Sequence, residues 1–312
     1  MPTMKATRVH AYGGSENLVL EEVERPVVGA DEILVRVHAA GVNPVDWKIR
    51  EGYLSEFLHL SLPFIPGYDL SGVVEEVGAE VRGFRVGDEV FAFLDLTRPR
   101  ACAEYVAVKA DEAALKPGSL SHAEAAAVPL AALTAWQCLF DLAGVRAGQR
   151  VLIHAAAGGV GHFAVQLARW AGAHVIGTAS AANQEFLRRL GAHQAIDYRA
   201  VRFEEVTGKV DVVLDLMSGE TRERSWPLLV ENGILVSTLP PEPTPELLGK
   251  YQVRAATMLV QPNPSQLEEI AQLIDAGKLR PEVTVYPFAE VRQAQQLSQA
   301  GHIRGKLVLR LD

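Results

Sequence analysis

A glycine-rich stretch in the middle of the chain has the residue types and the spacing of a nucleotide phosphate site. Residues 151–161 read VLIHAAAGGVG, an apolar strand followed by a turn and a helix. Aligned to the dinucleotide-binding motif G-x-G-x-x-G, Ala156 takes the first glycine position, Gly158 the second and Gly161 the third. Glycine at the second position lets a pyrophosphate approach the backbone, glycine at the third lets the helix pack against the strand, and the N–H groups that open the helix attract an anion. The predicted phosphate-binding residues are Ala157, Gly158, Gly159, Val160 and Gly161.

The residues after the second and third strands of this region bear on the choice of nicotinamide cofactor. NAD sites hold the ribose 2′-hydroxyl with an acidic residue about 20 positions further along, at the end of the second strand. That strand ends here at Ser180, and no acidic residue follows before Glu185. A serine does not repel a 2′-phosphate, and Tyr198 and Arg199 after the third strand offer hydrogen-bond donors. The sequence therefore predicts NADPH as the cofactor.

Strands and helices alternate from about Ser121, which forms a predicted capping box with Glu124. The predicted strands are 151–155, 174–178, 195–198, 210–216, 233–238 and 253–260. The predicted helices are 160–170, 184–190 and 265–276. Such alternation predicts βαβ units in a parallel sheet that is covered on both faces, and it argues against an isolated turn that binds nothing.

The two ends of the chain are rich in strands instead. The predicted strands there are 5–10, 18–23, 32–39, 71–77, 89–94, 103–108, 283–286 and 306–311. Many short strands with few helices predict a barrel or a folded sheet. We expect both ends to form one domain, residues 1–122 plus 281–312, and residues 123–280 to form the nucleotide-binding domain.

Composition and charge exclude several other classes of protein. The 312 residues suggest about two domains, and 48% apolar with 22% charged residues is ordinary globular usage. The net charge of −8 and the lack of a Lys/Arg run argue against a nucleic-acid partner. The longest apolar stretch, residues 125–140, falls short of the roughly 20 that cross a bilayer, so we expect a buried helix and no membrane association. Two scattered cysteines and no apolar leader segment favour a cytoplasmic protein.

Six short segments occur in the order found in a known superfamily. They are AGVNPVD (40–46), PGYDLSG (66–72), VGDEV (86–90), LTAW (133–136), AAAGGVG (155–161) and GKLV (305–308). Together they resemble the zinc-independent branch of the medium-chain dehydrogenase/reductase superfamily, which contains quinone oxidoreductases of the zeta-crystallin type and alkenal/enone reductases. The resemblance implies an α/β plus β fold. A GroES-like β-barrel domain would join a Rossmann domain with a doubly wound parallel sheet, with the active site in the cleft between them and a homodimer or homotetramer as the assembly.

The positions of the zinc ligands decide which chemistry the resemblance implies. Zinc-dependent relatives carry a metal-binding Cys where this chain has Asn43 and a metal-binding His where it has Tyr68. Asp46 and Asp69 alone make a poor zinc site, so we expect no metal. Without a Lewis acid to stabilise an alkoxide, the easier acceptor is a quinone or a C=C bond conjugated to a carbonyl. The apolar segment 53–65 favours a small hydrophobic substrate of this kind.

The resemblance also assigns roles to single residues. Asn43 matches an Asn near the nicotinamide and the substrate carbonyl, and its alternative role is that of a turn residue beside Pro44. Thr134 matches a Thr that reaches the cofactor, and its alternative is a core position in an apolar helix. Lys48 would orient the carbonyl or protonate the enolate, unless it is an exposed lysine of a strand or loop.

Four further residues complete the predicted site. Tyr53 and Tyr68 would line the pocket as donors, and a buried tyrosine with a satisfied hydroxyl is the alternative. Ser237 and Leu239, after the fifth strand of the nucleotide-binding domain, match segments that contact the nicotinamide in relatives.

Three hypotheses for the function follow. The leading one is an NADPH-dependent, metal-free reductase of quinones or α,β-unsaturated carbonyls. The second is a non-catalytic NADPH-binding protein of the crystallin or modulator type. The third is a zinc alcohol dehydrogenase with unusual ligands, which Asn43 and Tyr68 oppose.

Overall fold

The computed structural model describes residues 2–311 and divides them into two compact units. The first contains the described residues up to Leu133, Gln261–Gly277 and the residues from Pro281 onward. The second contains Thr134–Val260 and Lys278–Arg280. The predicted division was 1–122 plus 281–312 and 123–280. The observed one also changes unit between residues 280 and 281, but its first boundary follows Leu133 and Gln261–Gly277 belongs to the first unit.

Fifteen strands are found in the part of the chain from residue 2 to residue 311. In chain order they are β1 (Thr3–Val9), β2 (Leu18–Glu24), β3 (Glu32–Val42), β4 (Asp69–Val77), β5 (Glu89–Phe93), β6 (Tyr105–Lys109), β7 (Ala113–Leu115), β8 (Arg150–Ile153), β9 (His174–Ala179), β10 (Gln194–Asp197), β11 (Val210–Asp215), β12 (Leu229–Ser237), β13 (Arg254–Thr257), β14 (Val283–Pro287) and β15 (Lys306–Arg310). Every predicted strand is present, with ends displaced by a few residues. The short β7 is the one that the sequence did not predict.

The α-helices of the same residues are α1 (Pro44–Arg50), α2 (His122–Ala125), α3 (Pro129–Trp136), α4 (Gly159–Trp170), α5 (Gln184–Leu190), α6 (Phe203–Val206), α7 (Gly219–Ser225), α8 (Pro245–Tyr251), α9 (Pro264–Asp275) and α10 (Val291–Ala300). The predicted capping box of Ser121 and Glu124 is confirmed at the start of α2. Helix α1 was not predicted, although Pro44 at its first position and Asp46 in its first turn are typical start signals.

Strand β3 is the centre of the first unit's sheet, which has the order β14-β15-β3-β4-β5-β7. β4 runs along one edge of β3, and the other edge is shared by β6 and β15. Near the end of β3, Gly41 pairs with Asp69 of β4, and Val42 pairs with Leu307 of β15. The closing strand of the chain thus lies beside the residue that precedes α1.

Helix α9 accounts for part of the difference between the predicted and the observed division. Its buried face carries Leu267, Ile270 and Ile274, and the helix packs against β7 of the first unit. The Asp275 carboxylate accepts the Ser119 N–H at 2.9 Å. The sequence pattern shows that this helix has an apolar face, but not which sheet covers it.

The sheet of the second unit is parallel throughout and has the order β10-β9-β8-β11-β12-β13. Numbered from β8, this is the doubly wound order 3-2-1-4-5-6. Strand order reverses between β8 and β11, so the crevice outside the carboxyl ends of these strands is where such sheets bind ligands. The core on one face of the sheet contains Leu152, Ile176, Val213 and Trp226.

The apolar stretch 125–140 is buried as predicted but is not one helix. The chain turns before Pro129, continues as α3, and passes into a π-helical segment, Gln137–Leu142. Among residues 2–311 there is no helix with the length and apolar character needed to span a bilayer.

Candidate active site

The phosphate loop, residues 155–161, joins β8 to α4 in the second unit. Ala155 has a left-handed backbone with a φ of 48°, and its carbonyl accepts the Gly158 N–H at 2.9 Å, which closes the turn. The first intrahelical bond of α4 runs from the His162 N–H to the Gly158 carbonyl at 3.0 Å. The N–H groups of residues 159–161 precede that bond, so they have no intrahelical acceptor and lie at the positive end of the helix dipole. This geometry fits the predicted binding of the cofactor's phosphates.

The two motif glycines have different steric surroundings. A Cβ on Gly161 would lie 2.3 Å from the Ala155 carbonyl oxygen and 2.7 Å from the Ala156 Cα. A Cβ on Gly158 would have one close neighbour, the Ala155 oxygen at 3.3 Å. Gly161 is therefore required for the packing of α4 on the start of the phosphate loop, whereas the position of Gly158 is open apart from that one oxygen.

Alanine at the first glycine position is accommodated by a glycine in the neighbouring strand. Ala156 is fully buried, and a Cβ on Gly177 of β9 would lie 2.9 Å from the Ala156 Cβ and 3.0 Å from the Leu187 Cδ1. The methyl group of Ala156 thus lies over the gap at Gly177. The departure from the motif changes the packing under the loop and leaves the N–H groups of α4 in place.

The residues predicted to bind the 2′-phosphate lie at the carboxyl ends of neighbouring strands. Ser180 follows β9, and Tyr198 and Arg199 follow β10. Tyr198 is 45% exposed, and the Arg199 guanidinium lies 5.6 Å from the centre of its ring. The side chain of Gln184 donates to the carbonyls of Ala179 and Ser180, at 3.1 and 3.2 Å, and holds the turn after β9. The phosphate contact itself stays a prediction.

Ser237 and Leu239 take part in one hydrogen-bonded network at the end of β12, and their predicted contact with the nicotinamide stays a prediction. The Ser237 hydroxyl is buried and donates to the Asp215 carboxylate at 2.8 Å, and it accepts from the Arg222 guanidinium at 2.7 Å. The Leu239 N–H donates to the same hydroxyl at 3.1 Å, and its carbonyl accepts from Arg222 at 2.6 Å. The Ser237 hydroxyl therefore serves an internal network. The sequence analysis missed Asp215 and Arg222, although a carboxylate that ends the apolar strand VDVVLD is a visible signal.

The two histidines that flank the phosphate loop, His154 and His162, make internal hydrogen bonds. His154 is fully buried, with its ring nitrogens 3.1 Å from the Thr178 hydroxyl and 2.8 Å from the Ser225 hydroxyl. Burial lowers its pKa to about 4, so the ring is neutral. His162 bonds through Nδ1 to the carbonyl four residues earlier, at 2.9 Å. Thr134 is also buried, and its predicted cofactor contact stays a prediction.

A second feature, in the first unit, is a buried polar cluster of Asn43, Asp46, Asp69 and Lys306. All four side chains are at most 3% exposed. They meet because β3 ends at residue 42 while β4 and β15 begin beside it, and α1 then starts at Pro44. A Cβ on Gly41 would lie 2.8 Å from the Asp69 Cβ, so glycine is needed for this close approach.

The amide of Asn43 lies at the middle of the polar cluster. Its Nδ2 donates to Asp69 Oδ2 at 2.9 Å, and its Oδ1 accepts a short hydrogen bond from the Lys306 ammonium. Lys306 also donates to Asp69 Oδ2 and to the Val42 carbonyl, at 3.3 and 3.2 Å. The Asn43 N–H donates to Asp46 Oδ2 at 2.7 Å, which is half of a capping box for α1. Asn43 is therefore both the predicted turn residue beside Pro44 and an amide oriented by two charged groups.

The two carboxyl groups of the polar cluster share one cation. Burial raises the pKa of Asp69, although Lys306, Asn43 and a backbone N–H oppose the shift. Burial also raises the pKa of Asp46 to about 7, against the opposing effects of the Asn43 N–H and Lys306. Asp46 Oδ1 is buried without a hydrogen-bond partner, which fits a carboxyl that holds a proton near neutral pH.

Three other predicted residues have different surroundings. Tyr68 is fully buried and its hydroxyl donates to the Leu96 carbonyl at 3.0 Å, so the structure shows the alternative of a satisfied core tyrosine. Tyr53 is 66% exposed and contacts Trp47 edge-on at 6.0 Å. Lys48 lies on α1, not on a strand or loop, and partial burial lowers its pKa.

Potential metal ligands are dispersed in the part of the chain that the structure describes. Over residues 2–311, no three His, Cys, Asp or Glu side chains are grouped so that they could hold a metal ion. In the polar cluster the cation beside Asp69 is the Lys306 ammonium. A metal ion that used Asp46 and Asp69 would have to displace it.

Comparison with known proteins adds to this picture. A family model for the alcohol dehydrogenase GroES-like domain matches residues 29–137, and a model described as zinc-binding dehydrogenase matches residues 190–309. The chain is 34% identical to the chloroplast envelope quinone oxidoreductase homolog of Arabidopsis thaliana, with 98% of each chain covered. It is 35% identical to the NADPH-dependent alkenal/one oxidoreductase of Arabidopsis thaliana chloroplasts, with 98% of this chain and 79% of that protein covered.

The fold of the chain also matches a solved structure. The quinone oxidoreductase from Coxiella burnetii matches with a TM-score of 0.93 at 37% identity, with 100% of both chains covered. The predicted fold class, a GroES-like domain plus a Rossmann domain, is confirmed, and the protein is an oxidoreductase that uses a nicotinamide cofactor. The chain therefore belongs to the medium-chain dehydrogenase/reductase superfamily, in the branch of the quinone oxidoreductases and alkenal/one reductases.

Proposed function

We propose that this protein transfers a hydride from NADPH to a small hydrophobic quinone or α,β-unsaturated carbonyl, without a metal ion. The observation that carries the proposal is the polar cluster. An internal ammonium, Lys306, lies between Asn43 and Asp69, and the resemblance places a zinc ligand of other relatives at Asn43. The ammonium is the cation beside Asp69, which supports a metal-free reaction with acceptors that are activated by conjugation.

The residues that follow β9 and β10 support NADPH over NADH. No carboxylate follows β9 directly, whereas the exposed side chains of Tyr198 and Arg199 follow β10. An anionic 2′-phosphate is favoured by a nearby guanidinium and disfavoured by a carboxylate. The curated relative that is named NADPH-dependent agrees with this choice.

The chain's own residues then have defined tasks. When NADPH is bound, it supplies the hydride. The N–H groups of residues 159–161 would hold the pyrophosphate, and Ser180, Tyr198 and Arg199 would hold the 2′-phosphate. Hydride addition to the substrate leaves a negative charge on the carbonyl oxygen, and that oxygen must gain one proton. Lys48, whose pKa is lowered by burial, is the candidate for this proton transfer.

The test is an assay of the purified protein with NADPH or NADH and a panel of quinones, alkenals and simple alcohols. We expect turnover of NADPH with quinones or enones, no turnover with alcohols, and no loss of rate after dialysis against a chelator. We also expect kcat/KM to be at least about tenfold higher for NADPH than for NADH, which corresponds to roughly 1.4 kcal/mol. Binding of NADPH without turnover of any acceptor would favour the non-catalytic alternative instead.

A matched pair of variants tests the choice of cofactor. Arg199→Ala should raise KM for NADPH while leaving KM for NADH unchanged, because only NADPH carries the 2′-phosphate. Arg188→Ala, at an exposed position of α5, is the control and should change neither value. An equal effect of Arg199→Ala on both cofactors would contradict the assignment.

A further inference from the structure

Arg222 of α7 is a buried arginine in the second unit, at 4% exposure. Its guanidinium ties together three segments of the chain: the end of β11, the end of β12 and the loop that follows β12. We propose that Arg222 is a positioning residue for the nicotinamide-nucleotide half of the cofactor, a role that it exerts by fixing the loop 237–241. This inference rests on the proposed use of NADPH.

Four hydrogen bonds carry the argument. Arg222 Nε donates to Asp215 Oδ2 at 2.6 Å, and Nη2 donates to the Ser237 hydroxyl at 2.7 Å and to the Leu239 carbonyl at 2.6 Å. Nη1 donates to the Pro241 carbonyl at 2.6 Å. Two of the acceptors are backbone oxygens of the loop after β12, so the guanidinium fixes the path of that backbone and not only its own ion pair.

Asp215 anchors this arrangement from the other side. It is fully buried, and its second oxygen accepts the N–H groups of Met217 and Ser218 at 3.0 and 2.8 Å. Burial by itself raises the pKa of Asp215, but the hydrogen bonds from Arg222, Ser218 and Met217 outweigh that effect and keep the pKa below its usual value. The pair is therefore ionised, and the loop oxygens face a full positive charge.

The position of the loop 237–241 at the end of β12 relates Arg222 to the cofactor. A doubly wound sheet of this order consists of two mononucleotide-binding halves. The phosphate loop and the ends of β9 and β10 belong to the first half, which takes the adenosine side. β11 and β12 belong to the second half, and their carboxyl ends are the positions that Arg222 connects. Small displacements of groups that orient a reactant weaken its positioning severely.

Arg224, two residues further along α7, provides a matched control. Its side chain is 30% exposed and pairs with the Glu204 carboxylate, with Nε at 2.9 Å from Oε1. It carries the same charge on the same helix, but within residues 2–311 its ion pairs are with Glu204 and Glu220 and not with the loop 237–241. A general effect of removing an arginine from α7 would therefore appear equally in both variants.

The test compares the binding of whole and half cofactors by calorimetry. The probes are NADPH and 2′,5′-ADP, which contains the 2′-phosphorylated adenosine half alone. The variant is Arg222→Lys, which keeps the charge beside Asp215 but lacks the planar fork that reaches both loop carbonyls. We expect its Kd for NADPH to rise about tenfold while its Kd for 2′,5′-ADP stays within about twofold of the wild type, a selective change that a uniform loss of stability would not produce. Arg224→Lys should bind both probes like the wild type.

Ser237→Ala removes one partner of the guanidinium and is the second variant if Arg222→Lys does not fold. It should show the same selective weakening of NADPH binding, about threefold, because the bonds to the two loop carbonyls persist. Equal weakening of both probes, or no weakening of either, overturns the role of Arg222. A wild-type protein that binds neither probe overturns the proposed use of NADPH, which distinguishes the two failures.

Discussion

The phosphate loop and the polar cluster surround charge with different groups, backbone N–H groups in the loop and side chains in the cluster. The phosphate loop consists of seven consecutive residues without a charged side chain, and its binding groups are backbone N–H groups at the start of α4. The polar cluster consists of charged and polar side chains from β4, β15, the first turn of α1 and the residue between β3 and α1. The first depends on the absence of Cβ atoms, and the second depends on a balance of buried charges.

The difference implies two kinds of sensitivity to mutation. The phosphate loop should respond to steric changes and hardly to pH, because its groups do not titrate. The polar cluster should respond to the loss of a charge and to pH, because two buried carboxyls share one ammonium. The following predictions test this contrast.

The largest effect is expected from Lys306→Met. It leaves Asp69 buried without its cation, and breaking a buried ion pair on one side costs about 3–5 kcal/mol. Urea unfolding followed by tryptophan fluorescence measures the loss, and Lys278→Met at an exposed position is the control. A loss as small as that of the control would show that the polar cluster does not depend on the ammonium.

Asp46→Asn should reveal the pH sensitivity of the polar cluster. Burial raises the pKa of Asp46 from 3.8 to about 7, so the folded chain keeps this proton at pH values where the unfolded chain has lost it. The protonated Asp46 therefore contributes fully to the free energy of unfolding below about pH 4, and this contribution is lost as the pH rises to about 7. Asparagine keeps an acceptor for the Asn43 N–H but cannot ionise. The stability of the variant relative to the wild type should therefore increase with rising pH.

The gain can reach about 4 kcal/mol, the free-energy equivalent of roughly three pKa units. Free energies of unfolding at pH 4 and pH 8 give this difference for the variant and for the wild type. Asp31→Asn, on an exposed turn, should show no such trend. A pH-independent difference for Asp46→Asn would mean that Asp46 is ionised throughout.

Gly161→Ala and Gly158→Ala separate the two requirements of the phosphate loop. At Gly161 the new Cβ would meet backbone atoms at 2.3 and 2.7 Å, and such overpacking costs about 3 kcal/mol. Gly158→Ala should leave stability within about 1 kcal/mol and should still weaken NADPH binding, because its Cβ fills the space where a phosphate approaches. Thermal unfolding and calorimetric titration measure the two effects, and a Gly161→Ala protein as stable as the wild type would contradict the packing argument.

The smallest effect is expected from Ala155→Gly. Alanine at a φ of 48° is strained, so glycine should stabilise the folded chain by up to about 1 kcal/mol. Ala157→Gly is the control: its φ is not positive, so glycine should slightly destabilise the chain. If both variants lower the unfolding temperature, the backbone at Ala155 stores no strain that glycine relieves.

The sequence predicted the second unit better than the polar cluster, for a physical reason. The strands of a doubly wound sheet and the turn after its first strand are specified by local patterns: apolar runs, Gly158, Gly161 and a helix start. Of the helices in this unit, α6, α7 and α8 were missed because they are short, with four to seven residues each. Ser237 was expected at the cofactor, and only the structure shows that its hydroxyl is held by Arg222 and Asp215.

Residues far apart in the chain account for most of what the sequence could not show. Asp46 and Asp69 were recognised as acids without metal-binding partners, but their cation, Lys306, is 237 positions from Asp69. No local sequence pattern indicates that β15 pairs with β3. The pairing of Leu307 with Val42 places the ammonium beside Asn43.

By itself the sequence determined the fold class and the motif that fits a dinucleotide, because each of these is a property of residue types at short spacing. The tertiary structure decided which charges lie beside one another, which carboxyl groups have a raised pKa and which predicted side chains are engaged in internal hydrogen bonds. These depend on burial and on distances between side chains that are remote in sequence, and burial exists only once the sheets have assembled.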